Sequence, residues 1–164
     1  MALVVPSICH ETFGLVVVLQ RSTTSWGPGR GWLFFLLLVV WFGDTGAYYT
    51  GRTLGRHALA PLISPNKTVE GALGGLLGNV LAAFLGKQIF LPEAPLIQLF
   101  LLSILLGVVS QIGDLSESAL KRGAGVKDSS NLLPGHGGML DRIDGVLFAS
   151  PVMFSYVHFV LGTQ

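Results

Sequence analysis

Most residues that could do chemistry lie in one segment, KRGAGVKDSSNLLPGHGGMLDRIDG, residues 121–145. The chain around it is mostly apolar, with 51% hydrophobic and only 12% charged residues overall. Asp141 and Asp144 are three residues apart, so on a helix both carboxylates project from one face. A divalent cation relieves their repulsion, and hard oxygen ligands suit Mg²⁺ shared with substrate phosphates. A surface network through Arg142 is the alternative, but the adjoining apolar run and the other nearby acids favour a cation site.

The loop PGHGGM, residues 134–139, precedes these acids. Its glycines leave room for a ligand to approach the main chain, whose N–H groups can cradle phosphate oxygens. An ordinary turn would have the same composition. His136 is a candidate phosphate donor or proton carrier, with a plain loop residue as the alternative.

Basic residues flank the same loop. Lys121, Arg122 and Lys127 can neutralise a polyphosphate, and arginine offers a planar two-point grip. The alternative is the ordinary excess of positive charge in cytoplasmic loops. It would explain why these three residues lie on one side of the membrane, but not why they alternate with Asp128 and glycines. A second stretch, ISPNKTVEG at 63–71, adds Lys67 as a ligand candidate.

That second stretch also contains helix-starting signals. Thr68 and Glu70 precede an apolar run, so Thr68 is either a helix cap or a ligand.

The elements that must position these residues are apolar helices. An average soluble domain has about 25% charged residues, and this chain combines its low charge with a mean hydropathy of +0.65. Runs near 20 apolar residues indicate membrane spans. We therefore predict an all-α, polytopic transmembrane helix bundle forming a single membrane domain over residues 1–164. The predicted spans are 31–51, 69–86, 95–114 and 146–162.

The glycines of the second predicted span recur at GxxxG spacings, at positions 71, 74, 75 and 78. Such a face lets helix backbones approach closely in lipid. We predict a packing surface, within the bundle or between two copies.

Two spans separate the loop at 51–68 from the segment at 114–145, so both must lie on one side. That side holds seven of the ten Lys and Arg residues: Arg52, Arg56, Lys67, Lys121, Arg122, Lys127 and Arg142. Positive charge concentrates in cytoplasmic loops, which predicts a cytoplasmic motif segment at 114–145. Asp44 lies inside the first span near the same end, and a charge there usually faces a polar cavity.

Several reaction classes find no support. The chain has no Ser–His–Asp arrangement, no Cys/His metal spacing and no P-loop, and its single cysteine, Cys9, excludes an internal disulfide. The net charge of +1 does not suggest nucleic acid binding. Phosphoryl or nucleotidyl transfer is favoured, since positioning, cations and charge neutralisation supply most of its catalysis.

The residues from Ser118 to Asp144, SALKRGAGVKDSSNLLPGHGGMLDRID, resemble the characteristic motif of the phosphatidate cytidylyltransferase (CDP-diglyceride synthase) family. GDTGAYYTGRTLGRH, ISPNKTVEG and GDLSES resemble further blocks of that family, in the same order. The resemblance covers roughly residues 30–162. It implies an all-helical, dimeric membrane enzyme that uses Mg²⁺ to convert CTP and phosphatidic acid into CDP-diacylglycerol and pyrophosphate.

The resemblance also assigns residues. It implies a metal centre at Asp114, Asp141 and Asp144, which with Lys121 form the catalytic set, and leaves a second cation open. The candidate substrate-binding residues are Lys67, Ser118, Arg122, Lys127, Asp128, His136 and Arg142. Typical members have several more N-terminal spans, so we expect this chain to be the C-terminal catalytic part of such a protein.

Three alternatives remain open at this stage. One is the same or related CTP-dependent chemistry on another lipid, such as an archaeal ether-linked phosphatidate or a polyprenol. Another is a cation transporter, which Asp44 and the glycine-rich helix would allow. The third is an inactive remnant with a structural role.

Overall fold

The computed structural model describes residues 29–123, 125 and 144–161 of the 164-residue chain. Four helices and one short hairpin follow in the order α1 (Gly29–Leu54), β1 (Ala58–Ala60), β2 (Ser64–Thr68), α2 (Val69–Ile89), α3 (Leu96–Gly123) and α4 (Asp144–Tyr156). A π-helical turn, Val157–Leu161, continues α4. The predicted all-α helix bundle is confirmed, and the hairpin is the addition.

Three helices are long and apolar enough to cross a membrane: Arg30–Leu54, Val69–Ile89 and Leu96–Gly123. They confirm the first three predicted spans. The fourth, predicted at 146–162, corresponds to a shorter apolar helix, Gly145–Val160, which falls below the about 20 residues that a span needs. Pro151 lies inside this helix and has no backbone N–H to donate to the Leu147 carbonyl, four residues before it. That carbonyl accepts a hydrogen bond from the Ser150 hydroxyl instead, at 3.0 Å.

The glycine face of α2 packs inside the bundle against α1. A methyl group at Gly71 would lie 3.0 Å from the Ala47 carbonyl oxygen, and one at Gly75 would lie 3.0 Å from the Gly43 carbonyl oxygen. A methyl group at Gly74 would collide with the Thr50 side chain. The two backbones therefore approach more closely than any larger residue would allow, as the GxxxG spacing predicts.

Large apolar side chains fill the rest of the interior. Phe35, Leu36 and Val39 of α1 are fully buried, as are Leu99 and Leu106 of α3. The α4 helix completes this core with Val146, Ala149 and Met153. The outer surfaces of α2 and α3 are also apolar but exposed, with Leu77 71% and Leu101 64% accessible. That pattern is typical of helices surrounded by lipid.

One polar side chain lies deep among these helices. Asn79 of α2 is fully buried, and its amide has no hydrogen-bond partner among the described residues. It fits because Gly43 and Gly107 lack side chains: a methyl group at either position would collide with the amide. Asn79 thus interlocks α1, α2 and α3 below the polar end of the bundle.

The hairpin connects α1 to α2 and was not predicted. Its strands pair antiparallel, with Ala58 opposite Thr68 and Ala60 opposite Ser64. The prediction for α3 was also too short, because the helix extends nine residues beyond 114, to Gly123. At 28 residues it is about 42 Å long, so its C-terminal turns extend past an apolar layer about 30 Å thick.

Candidate active site

A cleft of about 380 Å³, lined by both polar and apolar residues, opens at the end of the bundle where the hairpin lies. Four elements line it: α1, the hairpin, the start of α2 and the middle of α3. The polar lining residues are Asp44, Tyr48, Arg52, Asn66, Lys67, Thr68, Gln111 and Asp114. The cleft therefore combines carboxylates, cations and neutral donors at the boundary of an apolar bundle.

The α1 helix contributes one continuous face. Asp44, Ala47, Tyr48, Gly51 and Arg52 all line the cleft, and their spacing of three or four residues puts them on one side of a helix. Arg52 donates from Nη1 to the Tyr48 hydroxyl at 3.0 Å. Asp44 is about 15 Å from the end of α1 at Leu54 and so lies deepest along this face. As the sequence predicts for a charge in a span, it faces a polar cavity.

The central contact of the cleft joins the hairpin to α3. Lys67 Nζ of β2 lies 2.5 Å from Asp114 Oδ2, with side chains 27% and 43% exposed. The ammonium is nevertheless buried and makes no hydrogen bond of ordinary geometry with any described residue. It is thus held by its ion pair with Asp114. Two residues 47 positions apart in the sequence meet at this point.

The hairpin is anchored where α2 begins. Thr68 caps the helix, its Oγ1 accepting from the Gly71 N–H at 3.1 Å, so capping is its role here. Glu70 Oε2 accepts from the backbone N–H groups of Arg56 at 3.1 Å and His57 at 3.2 Å. Its other oxygen pairs with His57 Nδ1 at 2.5 Å. These bonds fix the strand that carries Lys67.

Beyond Asp114 the α3 helix carries three further predicted residues away from the cleft lining. Ser118 lies one turn on and is partly buried. Lys121 Nζ pairs with Glu117 Oε1 at 3.4 Å. Arg122 Nε donates to the Ile63 carbonyl at 3.4 Å, near the tip of the hairpin. All three lie on α3 between Asp114 and the end of the helix at Gly123.

The remaining predicted residues divide into two groups. Lys127, Asp128, His136, Asp141 and Arg142 lie outside the described residues. Asp144 begins α4, and the next residue packs against α3: a methyl group at Gly145 would collide with Ser110 Oγ. Position 110 is about one helical turn before Asp114. The start of α4 therefore lies beside the stretch of α3 that leads to the cleft.

Sequence reasoning left Thr68 open between cap and ligand and omitted five other polar residues of the cleft from its site: Asp44, Tyr48, Arg52, Asn66 and Gln111. The cost of a charge inside a span pointed to Asp44, and the helical spacing from it would have led to Arg52. Gln111 carried no such signal. Its amide donates to the Ala72 carbonyl at 3.2 Å, which ties α3 to α2 at the cleft floor.

The cleft fits a hard divalent cation in its donor chemistry. Asp114 and Asp44 supply carboxylate oxygens, and Asp114 already holds a cation in the form of the Lys67 ammonium. Within 29–123, 125 and 144–161, no three His, Cys, Asp or Glu side chains form a metal-binding group. The metal centre predicted at Asp114, Asp141 and Asp144 includes one residue outside this part of the chain, so it stays a prediction.

Fold and cleft together define a membrane protein whose helix bundle has a charged cleft at one end. The chain belongs to the cytidylyltransferase family, whose model matches residues 2–160.

Curated relatives agree with this assignment. The chain is 47% identical over 126 residues to a protein of Bacillus subtilis named phosphatidate cytidylyltransferase, covering 77% of this chain and 47% of the relative. A protein of the same name from Staphylococcus saprophyticus is 48% identical over 148 residues, covering 90% of this chain and 55% of the relative. One from Haemophilus influenzae is 43% identical over 131 residues, covering 77% and 45%. The chain thus spans about half the length of the curated relatives it matches.

Proposed function

We propose that this chain carries the catalytic part of a phosphatidate cytidylyltransferase. A phosphate oxygen of phosphatidic acid attacks the α-phosphorus of CTP, the bond to the bridging oxygen of the β-phosphate breaks, and pyrophosphate leaves. CDP-diacylglycerol is the lipid product. The nucleophile is anionic at neutral pH, so the site needs no strong general base.

The observation that carries this proposal is the pairing of Lys67 with Asp114 in a polar cleft at the end of an apolar bundle. The barrier to the reaction is repulsion between two phosphate-bearing substrates. A cleft with fixed positive charge beside a carboxylate that can hold a cation lowers that repulsion. Its location suits a lipid whose tails remain in an apolar layer while its headgroup reaches a polar site.

We assign Mg²⁺ binding to Asp114, Asp141 and Asp144, with room for a second cation. When bound, Mg²⁺ neutralises phosphate charge and polarises the α-phosphate. Lys67 and Lys121 contact phosphate oxygens of the substrates, and Asp114 would help to hold the cation. The other proposed substrate-binding residues are Ser118, Arg122, Lys127, Asp128, His136 and Arg142.

The test is transfer of label from [α-³²P]CTP to a lipid by the full chain in detergent. We expect label in a CDP-lipid with phosphatidic acid, and none with a polyprenol. Asp141→Asn and Asp144→Asn should each abolish transfer while the protein still inserts into membranes. Label in a polyprenol product alone would overturn the substrate, and near-normal rates in both variants would overturn the metal site.

We further propose that the cleft faces the cytoplasm. Arg52, Arg56, Lys67, Lys121 and Arg122 all lie at the cleft end, and cationic residues favour the cytoplasmic side. With Cys9 replaced by serine, Arg56→Cys should resist a membrane-impermeant thiol reagent in intact cells and react in inverted vesicles. Reaction in intact cells would put the cleft outside.

The surroundings of the bundle are also part of the proposal. The exposed leucines of α2, such as Leu73 and Leu77, would contact the lipid bilayer. A homodimer follows from the family resemblance, and cross-linking in native membranes tests it. A monomer-sized product at every cross-linker concentration would contradict the dimer.

A further inference from the structure

Lys67 and Lys87 lie near opposite ends of α2, and the protein holds their ammonium groups in different ways. Lys87, at the end of α2 away from the cleft, donates to the carbonyls of Pro92 at 3.0 Å and Ala94 at 2.8 Å. Lys67 has no such carbonyl partners among the described residues. Its buried ammonium contacts the Asp114 carboxylate and makes no hydrogen bond of ordinary geometry.

This difference matters for how readily each ammonium can leave. Lys87 would abandon two directed hydrogen bonds. Lys67 would abandon one ion pair with a carboxylate, whose charge an incoming cation can balance in its place. An unpaired carboxylate in this partly buried cleft would be costly, so the exchange needs an incoming cation.

The hairpin fixes the backbone from which the Lys67 side chain starts, while the side chain itself can change rotamer. The backbone at Thr68 is paired with Ala58, and the Val69 N–H donates to the His57 carbonyl at 2.9 Å. The four-carbon lysine stem starts from this strand and can rotate without moving it. Asn66 and Arg52 also line the cleft, so the space around Lys67 is polar.

We propose that the Lys67 ammonium is an internal counter-cation for Asp114, and that an entering divalent cation displaces it toward the substrate phosphates. This inference rests on the proposed function, because it takes Asp114 as a cation ligand. Lys67 and the cation then compete for one carboxylate. While no cation is bound, the Lys67 ammonium balances the charge of Asp114. When a cation enters, the ammonium is released and can contact the phosphates of the substrates.

Competition predicts an affinity change that activity alone would not reveal. We use Mn²⁺ as the probe, because its free aqueous ion is counted directly by electron paramagnetic resonance. Without nucleotide, Lys67→Met should bind Mn²⁺ roughly three- to tenfold more tightly than the wild-type chain, since a competing contact of modest energy is gone. Lys67→Arg keeps the competing charge and should bind like the wild type.

Asp114→Asn separates this inference from the proposed function. It should weaken Mn²⁺ binding strongly, and adding Lys67→Met should then give no gain. If Asp114→Asn weakens binding but Lys67→Met does not tighten it, the counter-cation role is wrong and the proposed function stands. If the wild-type chain exchanges Mn²⁺ as expected but never forms a CDP-lipid, the transfer reaction is wrong and the exchange stands. If the wild-type chain does not bind Mn²⁺, or if Asp114→Asn binds Mn²⁺ as tightly as the wild type, the inference is overturned.

Displacement of Lys67 can also be measured on the wild-type chain, without any substitution. An amine-acylating reagent should label Lys67 of the wild-type chain several-fold faster with saturating Mg²⁺ than without it, because displacement exposes the amine. Lys87 is the internal reference, and its labelling should not change. Equal labelling of Lys67 with and without Mg²⁺ would contradict displacement.

Discussion

Lys67 and Lys87 lie at opposite ends of α2, and comparing them separates two uses of the same side chain. Lys87 is in the last turn of the helix, where its ammonium joins two carbonyls of the α2–α3 connection. A cation is favourable in the last turn of a helix in any case, because it complements the helix dipole. Lys67 precedes the helix N-terminus, where a cation is not favoured by the helix dipole. It is positioned instead by a carboxylate 47 residues away.

The comparison extends to the two ends of the bundle. At the Lys87 end the lysine contacts close the connection between α2 and α3, and a hydrogen bond from Tyr156 to Gln98 joins α4 to α3. At the Lys67 end they join α1, the hairpin, α2 and α3 around a cleft. We therefore expect one end to contribute mainly to stability and the other to the proposed chemistry, and the following substitutions test that division.

The largest effect is expected at Asp114. Asp114→Asn keeps the size of the side chain but removes the charge that holds a cation. We expect cytidylyl transfer to fall about 10³-fold, equivalent to about 4 kcal/mol of transition-state stabilisation. The measurement is the initial rate of CDP-lipid formation at saturating CTP.

The matched control is Glu93→Gln, the same chemical change at an exposed acid of the opposite end. Its rate should equal that of the wild type. If both variants lost transfer rate to a similar extent, the effect of Asp114→Asn would not be specific to the cleft.

A change in the glycine interface should reduce stability rather than chemistry. Gly74→Leu places a side chain where even a methyl group would collide with Thr50. We expect α1 and α2 to separate locally, at a cost of about 1–3 kcal/mol or more, seen as a lower thermal unfolding midpoint in detergent. The neighbouring exposed position provides the control, because Leu73→Ala changes only a residue at the outer surface. An unchanged midpoint for Gly74→Leu would show that the close approach of the two helices is not required.

The two lysines themselves give a paired test of smaller effects. Lys67→Met should raise the KM for CTP about tenfold, because a cation that contacts phosphate is lost. Its unfolding midpoint, measured with saturating Mg²⁺ so that Asp114 keeps a cation, should be nearly unchanged. Lys87→Met should do the opposite, costing about 1 kcal/mol of stability with normal kinetics. If both variants lost stability and neither changed KM, Lys67 would be a structural residue like Lys87.

Much of the fold was predictable, because the apolar runs and the GxxxG spacing are local signals. The hairpin was not, since SPNKT contains a proline and polar residues and lacks the alternation typical of strands. The extension of α3 was missed for a similar reason. GDLSESALKRG contains good helix formers but no long apolar run, so a criterion based on membrane spans ends too early.

The site was predictable only where residue type carried the signal. Asp114 and Lys67 could be named from their blocks, and Asp44 from the cost of a charge in a span. Their location on one side of the bundle could be predicted from the number of spans between them. The direct contact between Lys67 and Asp114 could not, because it depends on how α3 packs against α2 and on an unpredicted hairpin. Gln111 illustrates the limit: its link to Ala72 spans 39 residues and leaves no spacing pattern.

The smallest expected effect concerns the contact between α4 and α3 far from the cleft. The Tyr156 hydroxyl donates to Gln98 Oε1 at 3.1 Å in an exposed setting, while the Tyr156 ring packs near Trp32 at 5.5 Å. Tyr156→Phe removes the hydrogen bond and keeps the ring contact, so the unfolding free energy should fall by about 0.5–1 kcal/mol. Transfer rates should not change, because Gln98 is 16 residues, or about 24 Å of helix, from Asp114 along α3. A rate loss approaching that of Asp114→Asn, without unfolding, would show that this end also contributes to chemistry.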